Sequence, residues 1–596
     1  MSTVFKAHRK TAEGIVLFLL SIAISRVALW YGAAGVNLAW YEKYCASWPL
    51  LLLNYLPAAL LLLLLYFATG RPWIAFVATA ALTLALALTN YFKLLLRNDP
   101  LLLSDLLLVG EATNMTGRYT LTFDARMILC LAGVLAVAAG LFFLFRGRTT
   151  LSGKARALGS LLVAGVFAAL LGTVYANDAL YARVAEAPAW TPTNAYVSHG
   201  MVYPFLHSAF QRGDTPPDGY NADEARALLA ARPDADMPEG KKPHILSVML
   251  EAFCDLSEYE QIEIDPSAYA ALHALEAESW SGQLITSIFA GGTVDTERCF
   301  LTGCFSVPSL RRDTESYVRY LRRQGYRTGG VHPWYSWFYN RVNVNAYLGL
   351  ERYAFLEDRF ADANGDLYTD DQTFFAAVYE DFLSAKAEGA PWFSYNLTYQ
   401  NHGPYPTEPL YGAPLAPWKE GYTEAEYHIL NNYLAGVKDT GERLSALADR
   451  LREDPEPVVL IAFGDHKPWL GDQNSVYAML GIDLDRSTPE GFGNYYGTPF
   501  LIWANTAAKR ALGFDFVGDA GRLGPYFLLP ELFRQSGLEG SALMRQMTAL
   551  LEQTRYVNAM AYEQNGLPVL RENEPAWLLN AEEAQYYLLH SAAGKP

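Results

Sequence analysis

Five long apolar runs near the start of the chain constrain its fold more than any other feature. They occupy residues 14–33, 48–68, 73–92, 127–145 and 158–175. About 20 consecutive apolar residues form a helix that crosses the hydrocarbon core of a bilayer, and a helix buried in a soluble protein rarely stays apolar over that length. The first run contains Arg26 and is followed by further runs, which is unlike a cleavable signal peptide. The sequence therefore predicts a five-helix membrane unit over residues 1–176.

The charge distribution predicts how this unit is oriented. Residues 1–176 carry 14 Lys and Arg against 6 Asp and Glu, a net charge of +8, whereas the rest of the chain carries 32 against 56, a net charge of −24. Basic residues before the first run and in two alternate loops fall on one side of the membrane: Lys6, Arg9, Lys10, Arg71, Arg146, Arg148, Lys154 and Arg156. Because basic loops stay in the cytoplasm, we expect a cytoplasmic N-terminus and an outer part that begins after residue 176. An acidic outer part also argues against nucleic-acid binding.

Two segments connect these parts of the chain. The loop 93–126 is apolar but too broken for a sixth span, so it predicts either a helix lying on the outer leaflet or a loop packed on the bundle. Residues 177–242 predict a linker or collar, because the stretch from Arg212 to Pro243 is rich in Pro, Asp, Gly and Ala. The domains expected are therefore 1–176, 177–242 and 243–596.

Beyond the linker, short apolar strands alternate with helical segments. Strands are predicted at 244–250, 283–289, 328–331, 392–398 and 457–463, and helices at about 315–324 and 441–452. Such alternation is typical of an α/β domain with a largely parallel sheet. Cys299 and Cys304 follow the second strand; they could form a disulfide outside the membrane, although we favour two reduced thiols in the core.

The stretch from Gly291 to Glu297 joins the second strand to a helix that begins near Val294. Two glycines let the backbone approach another group closely, and Thr293 then stands at a helix N-terminus, where a developing alkoxide or a phosphate is favoured. A plain turn with a helix cap is the alternative interpretation of this stretch alone.

Other polar residues stand at the carboxyl ends of the remaining strands. Glu251 follows the first strand, and Asp465 and His466 follow the last. In a parallel sheet these ends lie along one edge, where α/β proteins bind ligands. Two carboxylates, an imidazole and the Thr293 hydroxyl suit Mn²⁺ or Zn²⁺ better than Ca²⁺. A metal ion bound to Thr293 would lower the pKa of its hydroxyl and make it a nucleophile.

In order and spacing, these motifs resemble the lipoteichoic acid synthase family. The resemblance rests on the five spans and on segments 249–253, 292–297, Asn340-Arg341, 401–404 and 464–468, and it runs along nearly the whole chain. The family consists of bacterial phosphoglycerol transferases of the sulfatase-like, alkaline-phosphatase-type superfamily. The resemblance therefore implies a multi-pass protein of the bacterial cell membrane with an extracellular sulfatase-like α/β domain.

The resemblance also implies roles for individual residues. Glu251, Asp465 and His466 match metal ligands, usually for Mn²⁺, with Zn²⁺ or Mg²⁺ as other candidates. Thr293, which also contacts the metal, matches a nucleophile that forms a glycerophosphoryl-threonine intermediate.

The remaining matches concern the substrate. His332, Tyr339 and Arg341 match residues that bind the glycerol phosphate, and His402 matches a histidine near the departing or entering oxygen. Tyr339 replaces a common Trp, and Trp334 stands where some members have an acidic residue; both positions line the head-group or acceptor region.

The function expected from these matches is transfer of glycerol phosphate from phosphatidylglycerol to a glycolipid or polyglycerolphosphate acceptor. A phosphoethanolamine or other head-group transferase that modifies a cell-envelope glycan is the alternative. A sulfatase is disfavoured, because the Thr293 segment has no Cys or Ser within a Cys/Ser-x-Pro-x-Arg sequence. A binding protein with a degenerate fold would be expected to lose ligands, and all four are present. Arg341 could instead be structural, paired with an acidic neighbour such as Glu351 or Asp358.

Overall fold

The computed structural model describes residues 3–35, 38–97, 100–103, 105, 124–145, 149, 151–184, 196–210, 216–217, 219–308, 310, 312–360, 369–571 and 574–591. These residues form two compact units, Met1–Gly213 and Asp214–Pro596. The boundary between them falls inside the segment predicted as a linker. Most of the predicted outer-leaflet helix or packed loop, residues 106–123, lies outside the described residues.

The first unit is helical. Its α-helices are Thr3–Ala34, Ala39–Ala46, Trp48–Thr69, Pro72–Arg97, Ala125–Leu144, Gly153–Leu170, Asp178–Arg183 and Val202–His207. Five helical segments are long and apolar enough to cross a membrane: Thr11–Ala34, Trp48–Thr69, Pro72–Leu94, Ala125–Leu144 and Gly153–Tyr175. The five spans predicted from the sequence are confirmed, with ends that differ by a few residues.

A buried carboxylate in the first span has partners, as a charged group inside an apolar bundle requires. Glu13 accepts a hydrogen bond from Arg9 Nε at 2.8 Å, and its other oxygen accepts from the hydroxyls of Tyr66 and Thr149 at 2.5 and 3.0 Å. This network ties the first span to the second and to Thr149, so Glu13 has a structural role.

The second unit is built on an eight-stranded sheet. Its strands are β1 (His244–Leu250), β2 (Trp280–Ile285), β3 (Arg327–Val331), β4 (Arg352–Ala354), β5 (Trp392–Leu397), β6 (Val458–Gly464), β7 (Gly497–Ala504) and β8 (Gly518–Leu523). Their order across the sheet is β4-β3-β5-β1-β6-β7-β2-β8. Only β7 pairs antiparallel with its neighbours, β6 and β2. The other seven strands share one direction, so the predicted largely parallel sheet is confirmed.

The central strands are buried on both faces. In β1, Ile245 and Met249 belong to one apolar core, whereas Leu246, Val248 and Leu250 belong to the other. Because successive side chains of a strand point to opposite faces, a continuous apolar run supplies both cores at once.

Helices cover both faces of this sheet. The α-helices of this unit are Ala222–Ala230, Ala270–Glu276, Thr293–Thr302, Tyr317–Arg323, Arg341–Leu348, Asp371–Ala387, Glu424–Arg452, Ser475–Met479, Pro489–Tyr496, Thr506–Leu512, Leu528–Gln535, Ala542–Leu550 and Ala576–His590. A two-stranded hairpin, Ala561–Gln564 with Leu567–Leu570, lies outside the main sheet.

Two predicted elements were misplaced. The second strand spans Trp280–Ile285 rather than 283–289, because its antiparallel partner β7 begins at Gly497, opposite Ile285, and the preceding residue Tyr496 ends a helix. The helix predicted at 441–452 begins at Glu424. Thr423 caps it, accepting from Glu426 N while its own hydroxyl donates to the Glu426 carboxylate. This is a capping box that was visible in the sequence.

Candidate active site

The structure brings the predicted polar residues to one edge of the sheet. Glu251 follows β1, Asp465 follows β6, His332 follows β3, and His402 lies in the loop after β5. Thr293 begins the helix that follows β2. Since these five strands share one direction, their carboxyl ends lie along a common edge, as the sequence predicted.

Glu251, Asp465 and His466 form a compact buried group. One potential ligand atom from each lies within 4.8 Å of the other two. His466 Nε2 is 3.2 Å from Asp465 Oδ2 and 3.8 Å from Glu251 Oε1. His466 Nδ1 lies 2.9 Å from Lys467 O, which fixes the ring with Nε2 toward the carboxylates.

The loop before Thr293 has an unusual backbone. Ala290, Gly291 and Gly292 all have positive φ, of 59°, 143° and 83°. Such a path is costly for Ala290, whose N–H is held by Lys467 O at 3.0 Å. The glycines thus serve a left-handed backbone path, whereas the close approach predicted for them is not seen at Gly292, where an added Cβ would lie 3.5 Å from Ile288 Cγ2; the helix begins at Thr293 as expected.

Thr293 stands against the acidic group. Its Oγ1 is 3.4 Å from Glu251 Oε2 and 3.4 Å from His466 Nε2. One turn on, Thr296 donates to Asp465 O at 2.8 Å, which ties the helix to the loop that carries two of the candidate ligands. A hydroxyl in this position faces the field of a helix N-terminus.

The residues of this group fit the predicted divalent metal ion. Asp465 Oδ1 accepts from Ala252 N at 2.8 Å and His466 N at 2.7 Å, whereas Oδ2 is buried with no hydrogen-bond partner among the described residues. Burial and then the charge of Asp465 raise the pKa of Glu251 to about 8. An orphaned carboxylate oxygen beside a second carboxylate and an imidazole is a donor set that a cation completes.

At the other end of the site lies Arg341, a buried arginine that is paired with a carboxylate of the same domain. Arg341 is 2 % exposed, and its Nε donates to Glu297 Oε2 at 2.8 Å. Its Nη1 lies 3.3 Å from His332 Nε2, while His332 Nδ1 is 3.1 Å from Leu397 O. Nη2 makes no hydrogen bond to a described residue. Although burial alone would lower it, the Glu297 carboxylate raises the pKa of Arg341 above its ordinary value.

The alternative interpretation of Arg341 paired it with Glu351 or Asp358, and neither residue is its partner. Glu351 pairs with Arg322 and Arg327, and Asp358 accepts from Phe355 N. The partner is Glu297, which lies four residues after Thr293 on the same helix. Since residues four apart share a helix face, this spacing was a signal that the sequence offered and that motif reading missed.

The backbone before Arg341 is strained. Tyr339 and Asn340 both have positive φ, 55° and 57°. Arg298 Nη2 donates to Tyr339 O at 3.2 Å, and the Arg341 guanidinium lies 5.2 Å from the centre of the Tyr339 ring. The left-handed pair thus places the aromatic ring over the guanidinium, and strain of this kind gathers at ligand-binding positions.

The two remaining histidines are both buried enough to favour the neutral ring. Burial, followed by the charge of Arg341, lowers the pKa of His332 well below its ordinary value. Burial also lowers the pKa of His402, whose Nδ1 lies 2.6 Å from Gly403 O. A neutral His402 with Nδ1 occupied by a carbonyl has Nε2 available to accept a proton.

Cys299 and Cys304 are both buried thiols, and the described residues contain no disulfide. This agrees with the favoured interpretation of two reduced cysteines in the core.

Comparison with known proteins agrees with this architecture. Residues 243–535 match the sequence profile of the Sulfatase family. A Rhizobium meliloti protein named for cyclic beta-1,2-glucan modification is 25 % identical over 365 residues, which are 59 % of this chain and 54 % of the relative. The lipoteichoic acid synthase of Staphylococcus saprophyticus is 22 % identical over 327 residues, 52 % of this chain and 48 % of the relative. The chain thus spans about half the length of the curated relatives it matches.

Solved structures show the same kind of likeness. Streptococcus pyogenes phosphoglycerol transferase GacH, in complex with sn-glycerol-1-phosphate, is 18 % identical with a TM-score of 0.47, over 63 % of this chain and 95 % of that one. A lipooligosaccharide phosphoethanolamine transferase from Neisseria meningitidis is also similar, 13 % identical with a TM-score of 0.41, over 88 % of this chain and 95 % of that one. Residues 243–535 of this chain thus carry the sequence profile of the Sulfatase family, in agreement with the sulfatase-like domain that the motifs predicted.

Proposed function

We propose that this protein is a metal-dependent transferase that moves glycerol phosphate from phosphatidylglycerol to a hydroxyl acceptor through a covalent intermediate on Thr293. One observation carries the proposal: Thr293 Oγ1 stands at a helix N-terminus, 3.4 Å from both Glu251 Oε2 and His466 Nε2. A hydroxyl that lies beside candidate metal ligands is suited to attack phosphorus, because a bound metal ion would lower its pKa.

The metal ion would be held by Glu251, Asp465 and His466 with the Thr293 hydroxyl, and Mn²⁺ is the ion we propose, ahead of Zn²⁺ or Mg²⁺. When bound, it supplies positive charge that lowers the pKa of the hydroxyl and offsets the charge of the phosphate.

In the first half of the reaction, Thr293 Oγ1 forms a bond to phosphorus and releases its proton to solvent. The bond between phosphorus and the diacylglycerol oxygen breaks in line, and that oxygen receives a proton that the neutral His402 ring takes up from solvent at Nε2 and passes on. Arg341 directs Nη2 to a phosphate oxygen while Glu297 and His332 hold the other side of its guanidinium. In the second half, His402 accepts the proton of the acceptor hydroxyl, whose oxygen takes the glycerophosphoryl group from Thr293.

The contacts of Arg341 also favour glycerol over ethanolamine in the donor. An ammonium group is recognised by a carboxylate or by an aromatic face. Beside Arg341, the Glu297 carboxylate and the Tyr339 ring are both already engaged by the guanidinium. A neutral glycerol makes no such demand on them.

A panel of donor lipids tests the function. The full-length enzyme with Mn²⁺ is given phosphatidylglycerol or phosphatidylethanolamine, each labelled in the head group, or a labelled sulfate ester. We expect label on the protein from phosphatidylglycerol only, and none with Thr293→Ala. Thr302→Ala is the control, because that hydroxyl lies on the same helix and donates to Arg298 O. Label from phosphatidylethanolamine instead would establish the alternative head-group transferase.

For orientation we propose a cytoplasmic N-terminus and a catalytic domain outside the cell membrane, on the charge distribution alone. Single cysteines introduced at Lys154 and Glu420, both exposed, test this with an impermeant thiol reagent on intact cells. Labelling at 420 with protection at 154 is expected, and the reverse pattern would overturn the proposal.

A further inference from the structure

A partly exposed run of aromatic residues lies between His332 and Arg341, and the transfer chemistry proposed above does not use Trp334, Tyr335 or Trp337. From its geometry we infer that Trp334, Tyr335 and Trp337, here called the aromatic platform, bind a sugar ring of the acceptor, so that the acceptor is a neutral glycan. This inference rests on the proposed transfer through Thr293 and adds the class of molecule that receives the group.

The platform is built for stacking. The rings of Tyr335 and Trp337 are 5.4 Å apart with an interplanar angle of 19°. Tyr335 is 40 % exposed and Trp337 is half-buried. Apolar side chains normally bury their faces in a core, so two parallel rings kept at the surface offer a flat apolar face to a ligand. A pyranose ring presents C–H groups on its faces and hydroxyls on its edge, which fits such a surface.

The platform is connected to the candidate proton-transfer group. Trp334 stacks on Tyr399, with ring centres 4.3 Å apart and planes at 22°. Tyr399 in turn stacks on His402, at 4.7 Å and 28°. This stack joins Trp334 to the imidazole that accepts the proton of the acceptor hydroxyl, and the rings of Trp334 and Tyr335 meet edge to face with centres 5.2 Å apart. A sugar on the platform therefore contacts the same run of aromatic rings that ends at the group that must activate one of its hydroxyls.

A polar partner lies beside the stacked pair. Ser336, between Tyr335 and Trp337 in the chain, donates its N–H to both oxygens of Glu357, at 3.0 and 3.3 Å. The Glu357 carboxylate is exposed and retains acceptor capacity for sugar hydroxyls. An aromatic face with a carboxylate at its edge matches both parts of a sugar ring.

Charge separates a glycan from a polyglycerolphosphate chain. Polyglycerolphosphate carries a negative charge on every unit, and the part of the protein after residue 176 is also negative, with a net charge of −24. Near the platform, Glu357 and Asp358 are acidic, and Arg359 is paired with Glu380 and Asp381. A polyanion would meet like charge here, whereas a neutral glycan would not.

The step that follows conserves atoms and charge. A sugar hydroxyl oxygen forms a bond to the phosphorus on Thr293, and its proton passes to His402. The bond between phosphorus and Thr293 Oγ1 breaks, and the threonine oxygen takes a proton from solvent, to which His402 returns the proton that it accepted. The product is a glycerophosphoryl ester of the glycan.

Two separate half-reactions make the inference testable. Full-length enzyme is loaded with labelled phosphatidylglycerol, freed of donor, and chased with neutral gluco- and galacto-oligosaccharides or with a glycerophosphate oligomer. Tyr335→Ala and Trp337→Ala are compared with Trp418→Ala, a 51 % exposed tryptophan that packs on Tyr422 and Tyr427. The platform variants should load Thr293 normally and release label to water normally, but their KM for the oligosaccharide should rise about tenfold. The Trp418 variant should behave as wild type.

Two results would overturn the platform: normal oligosaccharide KM in both platform variants, or a chase that succeeds with the glycerophosphate oligomer and fails with every oligosaccharide. Failure of the wild type to load Thr293 would overturn the proposed function instead. Calorimetric measurement of oligosaccharide binding then tests the platform separately, because binding does not require the transfer reaction. Binding to wild type that Trp337→Ala weakens would support the platform, and absence of binding to wild type would refute it.

Discussion

The two ends of the candidate site differ in how complete they are. At one end, Glu251, Asp465 and His466 bring together two carboxylates and an imidazole, and Asp465 Oδ2 has no hydrogen-bond partner among the described residues. At the other end, Arg341 is paired with Glu297 and fixed by His332. Thr293 and Glu297 lie on one helix face, so the helix Thr293–Thr302 joins both ends.

This difference indicates a division of labour. The first end keeps a buried carboxylate oxygen without a hydrogen-bond partner among the described residues, whereas the Arg341 guanidinium is held by two other side chains. A change at the first should therefore alter ion binding or chemistry, and a change at the second should alter positioning. The predictions below test that division, beginning with the largest effect.

The largest effect is expected for Thr293→Ala. Transfer from phosphatidylglycerol should be abolished, because the attacking oxygen is gone, while metal remains bound through the three other ligands. Transfer rate and metal content are measured on one purified sample. Turnover above a few per cent of wild type would show that Thr293 is not the nucleophile.

Glu297→Gln removes the charge that Arg341 pairs with. Breaking a buried ion pair by removing one partner costs on the order of 3–5 kcal/mol, and both side chains here are 2 % exposed. We expect a lower thermal midpoint with normal metal content.

Inorganic phosphate gives the control for this variant. An anion that reaches Arg341 restores its charge balance, so phosphate should raise the midpoint of Glu297→Gln more than that of wild type. Equal shifts in both proteins would mean that Arg341 does not face the phosphate position.

Arg341→Lys keeps the charge but loses the planar fork that serves Glu297, His332 and a phosphate oxygen together. A lost charged hydrogen bond is worth about 1.5–3 kcal/mol, which corresponds to roughly ten- to a hundredfold in transfer efficiency. Metal content should stay at the wild-type level. Unchanged transfer would leave Arg341 a purely structural residue.

How well the sequence predicted each part of this site depends on how far apart the interacting residues are in the sequence. The strand ends were predictable, because apolar strands such as β1 and β6 mark their own limits and parallel order gathers their ends. The Arg341–Glu297 pair joins residues 44 positions apart in the sequence. Acidic residues closer to Arg341 in the sequence were equally reasonable partners before the structure was known. Only the fold decides among such partners.

The misplaced elements have the same cause. The limits of β2 are set by pairing with β7 and β8, neither of which the local sequence shows. The long helix from Glu424 is a different case. Its Thr423-x-x-Glu426 capping sequence could be recognised locally, and its apolar residues recur at helical spacing as far as Leu451.

The smallest effect is expected from another buried carboxyl, Asp371, which belongs to neither end of the site. Burial raises its pKa to about 7, with one oxygen accepting from Thr440 Oγ1 and the other without a partner among the described residues. Because the folded state holds the proton more tightly than the unfolded state, its contribution to stability is full below pH 4 and is lost as pH rises through 7.

Asp371→Asn cannot lose a proton, so its thermal midpoint relative to wild type should rise by a few degrees between pH 4 and pH 8. Metal should not change this difference, since Asp371 is not one of the ligands. A difference that is flat with pH would contradict the assigned cause.

The most direct test of the account is peptide mapping of the enzyme after a single exposure to phosphatidylglycerol with Mn²⁺ and no acceptor. The account predicts one glycerophosphoryl group on the peptide that contains Thr293, located on that residue by fragmentation and removed when acceptor is added. An unmodified Thr293 peptide in an enzyme that still turns over, or the group on any other residue, would contradict it.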